Sequence, residues 1–131
     1  MLILAVVAIL LGIAVPTLSR ALDQIELEAA TAHLVSAHHR ARLMALTRAQ
    51  VLTLAIDSSR LSIVPYAGAA PLWQAAGPAA SGVRLAGSSR QFTFSPEGYT
   101  LGLSNASLLL TRGSSARTIV ISRLGRVRVL R

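Results

Sequence analysis

A chain of 131 residues has room for one small domain and an accessory segment; 53% of these residues are apolar and only 14% charged. Net charge is +8, all thirteen basic residues are arginine, and there is no cysteine, which excludes a disulfide framework and thiolate metal sites. Arginine is unevenly spread: beyond residue 50 nine arginines face only Asp57 and Glu97, and the last twenty residues carry six arginines and no acid. Such a tail favours anionic partners, whether nucleic acid, lipid headgroups or acidic protein faces.

The chain opens on an uninterrupted apolar run. Leu2, Ile3, Leu4, Val6, Val7, Ile9, Leu10, Leu11, Ile13 and Val15 carry it, Pro16 closes it, and no charge appears before Arg20. Fourteen helical residues reach roughly 21 Å, short of a hydrocarbon core of about 30 Å. A cleaved signal peptide lacks support, since there is no basic leading region and no small-residue cleavage site. A buried core helix is a second reading. A membrane helix whose front end lies upstream of Met1 fits best. Taken alone, Arg20 would place the body in the cytoplasm, and a basic leader upstream reverses that orientation.

Behind Pro16 the helical period continues through Leu18, Leu22, Ile25, Ala29, Ala32 and Val35, with Arg20, Asp23, Glu26 and Arg40 largely off that stripe. One helix over about residues 2–49 is therefore expected, kinked rather than ended by Pro16, with the stripe seeking a partner surface. Three segments follow: residues 1–16 as membrane and assembly helix, 17–49 as its amphipathic continuation, and 50–131 as a β domain.

After Gln50 the period becomes two. Leu52, Leu54 and Ile56 point one way and Thr53 and Asp57 the other; Asp57-Ser58-Ser59-Arg60 is a turn, and Leu61 and Ile63 resume the alternation. Residues 66–82, rich in alanine, glycine and proline, read as a long loop carrying Trp73. Short strands follow at 83–85, 90–95, 99–103, 106–112, 118–122 and 126–130. Turn formers separate them at Gly87-Ser88-Ser89, Pro96-Glu97-Gly98, Ser104-Asn105, Gly113-Ser114-Ser115 and Leu124-Gly125. The expected fold class is α+β, a long N-terminal helix packed on a small antiparallel sheet or sandwich. That packing supplies a core that about eighty residues barely build alone.

No catalytic or cofactor constellation is legible. His33, His38 and His39 lack metal-pair spacing and read as solvated or subunit-contact residues. The serines lie mostly in turns, and the glycines are scattered. In a C-terminal strand Arg126 and Arg128 project to one face and Val127 and Val129 to the other. Arg123 on the preceding strand and Arg131 at the end extend the positive surface. Arginines at period two straddle successive phosphates of a nucleic-acid backbone. The same spacing also serves to guard a sheet edge or to meet an acidic neighbour.

In order, an apolar helix, a proline, an amphipathic continuation and a small β domain resemble the plan of type IV pilins and type II secretion pseudopilins. Ala14-Val15-Pro16, the helix end Ala41-Arg42 to Arg48 with Val51-Leu52-Thr53-Leu54, the turn Phe94-Ser95-Pro96-Glu97-Gly98, and Ile119-Val120-Ile121-Ser122 with Gly125-Arg126-Val127-Arg128-Val129 are together similar to the GspH/FimT family of minor pseudopilins. The resemblance implies a leader removed by prepilin peptidase, an inner-membrane anchor with a periplasmic C-terminal domain, and assembly with other pilins through the N-terminal helices. Its FimT branch associates a C-terminal Gly-Arg-x-Arg, here Gly125, Arg126 and Arg128, with DNA uptake. Two departures stand out. The family's early glutamate is missing, Glu26 being the first, and Met44 stands where many relatives have an acid. Met1 is accordingly expected to be an internal methionine of the family's membrane helix.

Overall fold

The computed structural model describes residues 1–68, 70–87, 89–102 and 105–131. Helix α1 runs over Leu2–Arg48 and contains Pro16. Proline removes the backbone donor that would reach the Gly12 carbonyl, and two hydroxyls just beyond it bond back along the helix. Thr17 Oγ1 donates to the Ile13 carbonyl at 2.9 Å and Ser19 Oγ to that of Pro16 at 3.0 Å. The helix stops where Ala49 turns left-handed, at φ 50° and ψ 41°. The Gln50 N–H then reaches back to the Ala45 carbonyl at 3.3 Å, closing the last turn.

The buried face of α1 is not the stripe that the apolar spacing favours. Leu27, Ala30, Thr31, Leu34, Ala37, His38, Ala41 and Ala45 are buried, whereas Leu18, Leu22, Ile25, Ala29 and Ala32 are exposed and Val35 is half-buried. At 100° per residue the two stripes lie on roughly opposite sides of the axis. The alanines explain the choice. Four small side chains let the helix approach the sheets closely, and Leu27 and Leu34 fill the space between, each contributing about 1.5–3 kcal/mol of burial. Residues 2–20 are exposed throughout, which removes the buried-core-helix reading of the opening run.

Among the described residues nine strands form two antiparallel sheets. The first has the order β3-β2-β1-β5-β6, from β1 (Leu52–Ile56), β2 (Arg60–Pro65), β3 (Trp73–Ala76), β5 (Arg90–Phe94) and β6 (Thr100–Leu101). The second has the order β4-β7-β8-β9, from β4 (Arg84–Leu85), β7 (Ala106–Arg112), β8 (Ser115–Ile121) and β9 (Val127–Leu130). The α+β architecture is the one expected. Residues 66–82 are not one long loop: they contain β3, paired Arg60↔Ala76 through Ile63↔Trp73, and a 3-10 turn over Pro78–Ser81. Alanine-rich β3 lacks the β-branched signal of a strand, and tertiary pairing with β2 makes it one. Thr53 points away from the core yet is nearly buried, its hydroxyl 3.1 Å from that of its cross-strand partner Thr93. Ser88, Leu103 and Ser104, parts of the expected turns and strand there, lie outside the described residues.

The core joins both sheets to α1: Leu54, Ile56, Leu61, Ile63 and Phe94 from one, Leu108, Leu110, Ile119 and Ile121 from the other. His38 sits in it, 1% exposed, edge-on to Phe94 at 5.0 Å between ring centroids, and neither ring nitrogen has a hydrogen-bond partner. This corrects the solvated reading of the histidine. Burial, reinforced by His39 and Arg42, lowers its pKa from 6.5 to about 4. The unfolded chain therefore binds the proton first as pH falls. Stability from this group is complete above about pH 6.5 and drains away down to about pH 4, a loss on the order of 3 kcal/mol. Replacing His38 by Leu removes the titration and two unsatisfied nitrogens together. In denaturant titrations of the full chain in detergent, the His38→Leu protein is expected to match or exceed the parent at pH 7. It should gain on the parent steadily between pH 6.5 and 4.

Candidate functional site

Two surfaces carry the candidate residues. The first is the N-terminal half of α1, where Leu2, Ile3, Leu4, Val6, Val7, Ile9, Leu10, Leu11, Ile13 and Val15 are all exposed large hydrophobics. The helix contains an 18-residue stretch of mean hydropathy 2.6 with none of it buried. This apolar surface continues past Pro16 as the exposed stripe of Leu18, Leu22 and Ile25.

The second is the β8–β9 hairpin. Its turn is closed by the Gly125 N–H on the Ser122 carbonyl and the Ser122 N–H on the Arg126 carbonyl, both at 2.9 Å, with the Arg126 N–H on Ser122 Oγ at 3.2 Å. Gly125 takes φ +75°, a conformation that disfavours side chains. Arg123 belongs to this turn rather than to the preceding strand, and its carbonyl accepts a hydrogen bond from Thr100 Oγ1. Arg126 and Arg128 are exposed, and Val127 packs against the core. Arg131 departs from the expected continuous surface. It shares the parity of Val127 and Val129, on the face away from Arg126 and Arg128, and lines a groove with Glu28 and Arg117. The positive surface is thus Arg123, Arg126 and Arg128. None of the three has an ion-pair partner among the described residues.

Arg42, which sequence reasoning did not single out, positions this turn. Its Nε donates to the Gly98 carbonyl at 2.9 Å, and its stem lies 3.9 Å from where a Gly125 side chain would begin. Gly98 ends the turn Ser95–Tyr99, closed by the Ser95 N–H on the Tyr99 carbonyl at 2.8 Å. One arginine therefore touches a turn from each sheet. At the other end of the domain Arg112 Nε meets Asp23 at 2.9 Å, and its Nη1 donates to the Ser81 carbonyl. Arg117 Nη2 meets Glu28 at 2.9 Å, and that hydrogen bond, with a weaker one from Gln24, lowers the Glu28 pKa. Trp73 opens a strand, not the loop expected over 66–82. It sits on β3, with Arg40 over its ring at 5.3 Å and His33 edge-on at 6.5 Å. Among the described residues no group of three or more His, Asp or Glu converges as a metal site would require.

The model of the type II transport protein GspH family matches residues 30–125, most of the chain. The chain belongs to the GspH family. No curated protein matches its sequence. Among solved structures, the fold is similar to that of the Pseudomonas aeruginosa type IV minor pilin FimU. In one crystal form (space group P21) the TM-score is 0.68 at 20% identity, covering 83% of this chain and 91% of that one. In a second (P65) it is 0.62 at 18% identity, covering 79% and 92%. The matched span holds the buried face of α1 from Ala30 onward, the Ser95–Tyr99 turn and Ile119-Val120-Ile121-Ser122, and ends at Gly125. Met44, where an acid was expected, is partly buried against the core, which accounts for its apolar character.

For this GspH-family domain, Arg42→Ala removes one charge-assisted hydrogen bond, about 1.5–3 kcal/mol, while leaving both sheets intact. Hydrogen exchange is expected to speed up at the Gly125 and Gly98 amides together, with little change at Ile119.

Proposed function

We propose that the chain is a minor pseudopilin: a structural subunit, near the tip, of a type II secretion pseudopilus or a related type IV pilus-like fibre, acting in protein secretion. One observation carries this reading. The apolar surface of α1 runs from Leu2 to beyond Ile25 with no partner inside the domain, while the opposite face of the same helix is spent on the sheets. Water does not stabilise such a surface. Lipid around residues 1–16 and neighbouring helices further along do. In this reading residues 1–16 sit in the inner membrane, residues 50–131 form the periplasmic domain, and the full-length precursor is a substrate of prepilin peptidase.

Placing a charge on the outward stripe tests the assignment. Ile25→Glu lies 61% exposed in the monomer, so folding is expected to be unaffected. Co-purification with other pilin-like subunits from membranes is expected to fall at least about tenfold, as an unpaired carboxylate is buried between helices. Undiminished co-purification contradicts the reading.

A second reading, capture of DNA during uptake, has its own support in the three unpaired, exposed arginines of the β8–β9 hairpin. It predicts an electrophoretic shift of duplex DNA by the full chain in detergent, weakening steeply with salt and lost in Arg126→Ala/Arg128→Ala. No shift at low salt rules it out.

A further inference from the structure

The two sheet edges flanking α1 are finished differently. On the β3 side Trp73 reaches the helix and is held by Arg40 and His33. On the β9 side none of the described residues fills the corresponding gap. There a groove of about 790 Å³ lies between α1 and β9, with Glu28, Ala32, Val35 and His39 on the helix wall and Val129 and Arg131 on the strand wall. The contacts at its ends give its direction. The β7–β8 turn meets α1 at Asp23, and the β8–β9 turn meets it at Arg42, so β9 returns alongside the helix from the level of Arg42 toward that of Glu28. The eleven helical steps from residue 28 to residue 39 rise roughly 16 Å, the length of about five strand residues.

β9 is the last strand of its sheet, and its outer edge is unpaired. The bond between Ser122 and Arg126 sets the register, so Arg128 and Leu130 exchange bonds with Val120 and Thr118. Val127 and Val129 then direct their N–H and C=O groups outward. An exposed edge beside a slot whose apolar patch is Ala32, Val35 and Val129 is an arrangement that accepts an added strand.

We propose that this groove accepts an extended acidic segment of a partner protein as a fifth strand of the β4-β7-β8-β9 sheet. Its backbone pairs with Val127 and Val129, and its inward side chains lie on Ala32 and Val35. The charge pattern selects the occupant. Arg128 stands at a position where the added strand's side chain comes closest, about 4.5 Å between Cα atoms, and Arg126 repeats this two residues earlier. Alternating acidic and apolar residues satisfy both faces at once. Ala32 and Val35 continue the outward stripe of Ile25 and Ala29, so the added strand covers the C-terminal end of that stripe.

The test uses the full chain in detergent and a fluorescent seven-residue peptide alternating glutamate and valine. Saturable binding is expected, with slowed hydrogen exchange at Val127 and Val129. Val129→Pro removes an outward N–H without touching the bonds to β8. Ala32→Arg fills the groove from an exposed helix position. Each is expected to weaken binding at least about tenfold, and Ala32→Arg keeps the test valid should the proline disturb the strand. Three results overturn the proposal. One is equal binding of a peptide with prolines in place of its valines. Another is binding lost in Arg126→Ala/Arg128→Ala but unchanged in both groove variants, which makes the surface a general anion site open equally to duplex DNA. The third is an absence of binding.

Discussion

Everything in this molecule depends on one helix having two apolar faces with different chemistry. The inner face is built from Ala30, Ala37, Ala41 and Ala45 around Leu27 and Leu34, all nearly or fully buried. Small side chains bring the helix close enough for two sheets to share it, and the resulting core draws on both. The outer face is built from larger side chains, Leu18, Leu22 and Ile25, which stay in contact with solvent in the isolated chain. A domain of this size cannot cover both, and the division leaves the bulkier stripe available to other molecules.

Polar contacts then fix how the sheets sit on the inner face. Arg112 with Asp23 and Arg117 with Glu28 tie the second sheet to the middle of α1, and Arg42 bonds the Ser95–Tyr99 turn of the first sheet while lying against the Gly125 turn of the second. The two ion pairs are partly exposed and contribute geometry more than energy. Gly113 shows how close that geometry is. It takes φ +57° directly against the Asp23 carboxylate, where a side chain would collide. The arginine-bearing hairpin is consequently held at both its ends, and Arg123, Arg126 and Arg128 are presented from a fixed platform rather than from a loose tail.

Much of this is legible in the residues. The helix from Leu2, the turn at Asp57, the strand over 106–112 and the Gly125 turn follow from period and turn chemistry, whereas the strand expected over 118–122 begins already at Ser115 and ends at Ile121. The choice of helix face was not legible, because apolarity alone ranks Leu22 and Ile25 above Ala37 and Ala41. Size, not hydrophobicity, decided which stripe faced inward. β3 was hidden for a related reason: its Trp-Gln-Ala-Ala sequence becomes a strand only through pairing with β2 and the helix contacts of Trp73. For the candidate surfaces, Arg126 and Arg128 are both exposed, with Arg126 just ahead of β9 and Arg128 within it. Period two gave no means of knowing that Arg123 lies in the turn or that Arg131 faces the groove. His38 illustrates the same limit, since its neighbours in the core, Phe92 and Phe94, lie more than fifty residues away in sequence.

The absence of native cysteine permits a direct test of the two-faced helix. Single cysteines at Ile25, Ala29 and Leu34 can be labelled with a thiol reagent in the detergent-solubilised chain and again in assembled fibres. The account predicts fast labelling at Ile25→Cys and Ala29→Cys in the isolated chain, protection of both on assembly, and slow labelling at Leu34→Cys in either state. Fast labelling at Ile25→Cys and Ala29→Cys that persists unchanged in the fibre would contradict it.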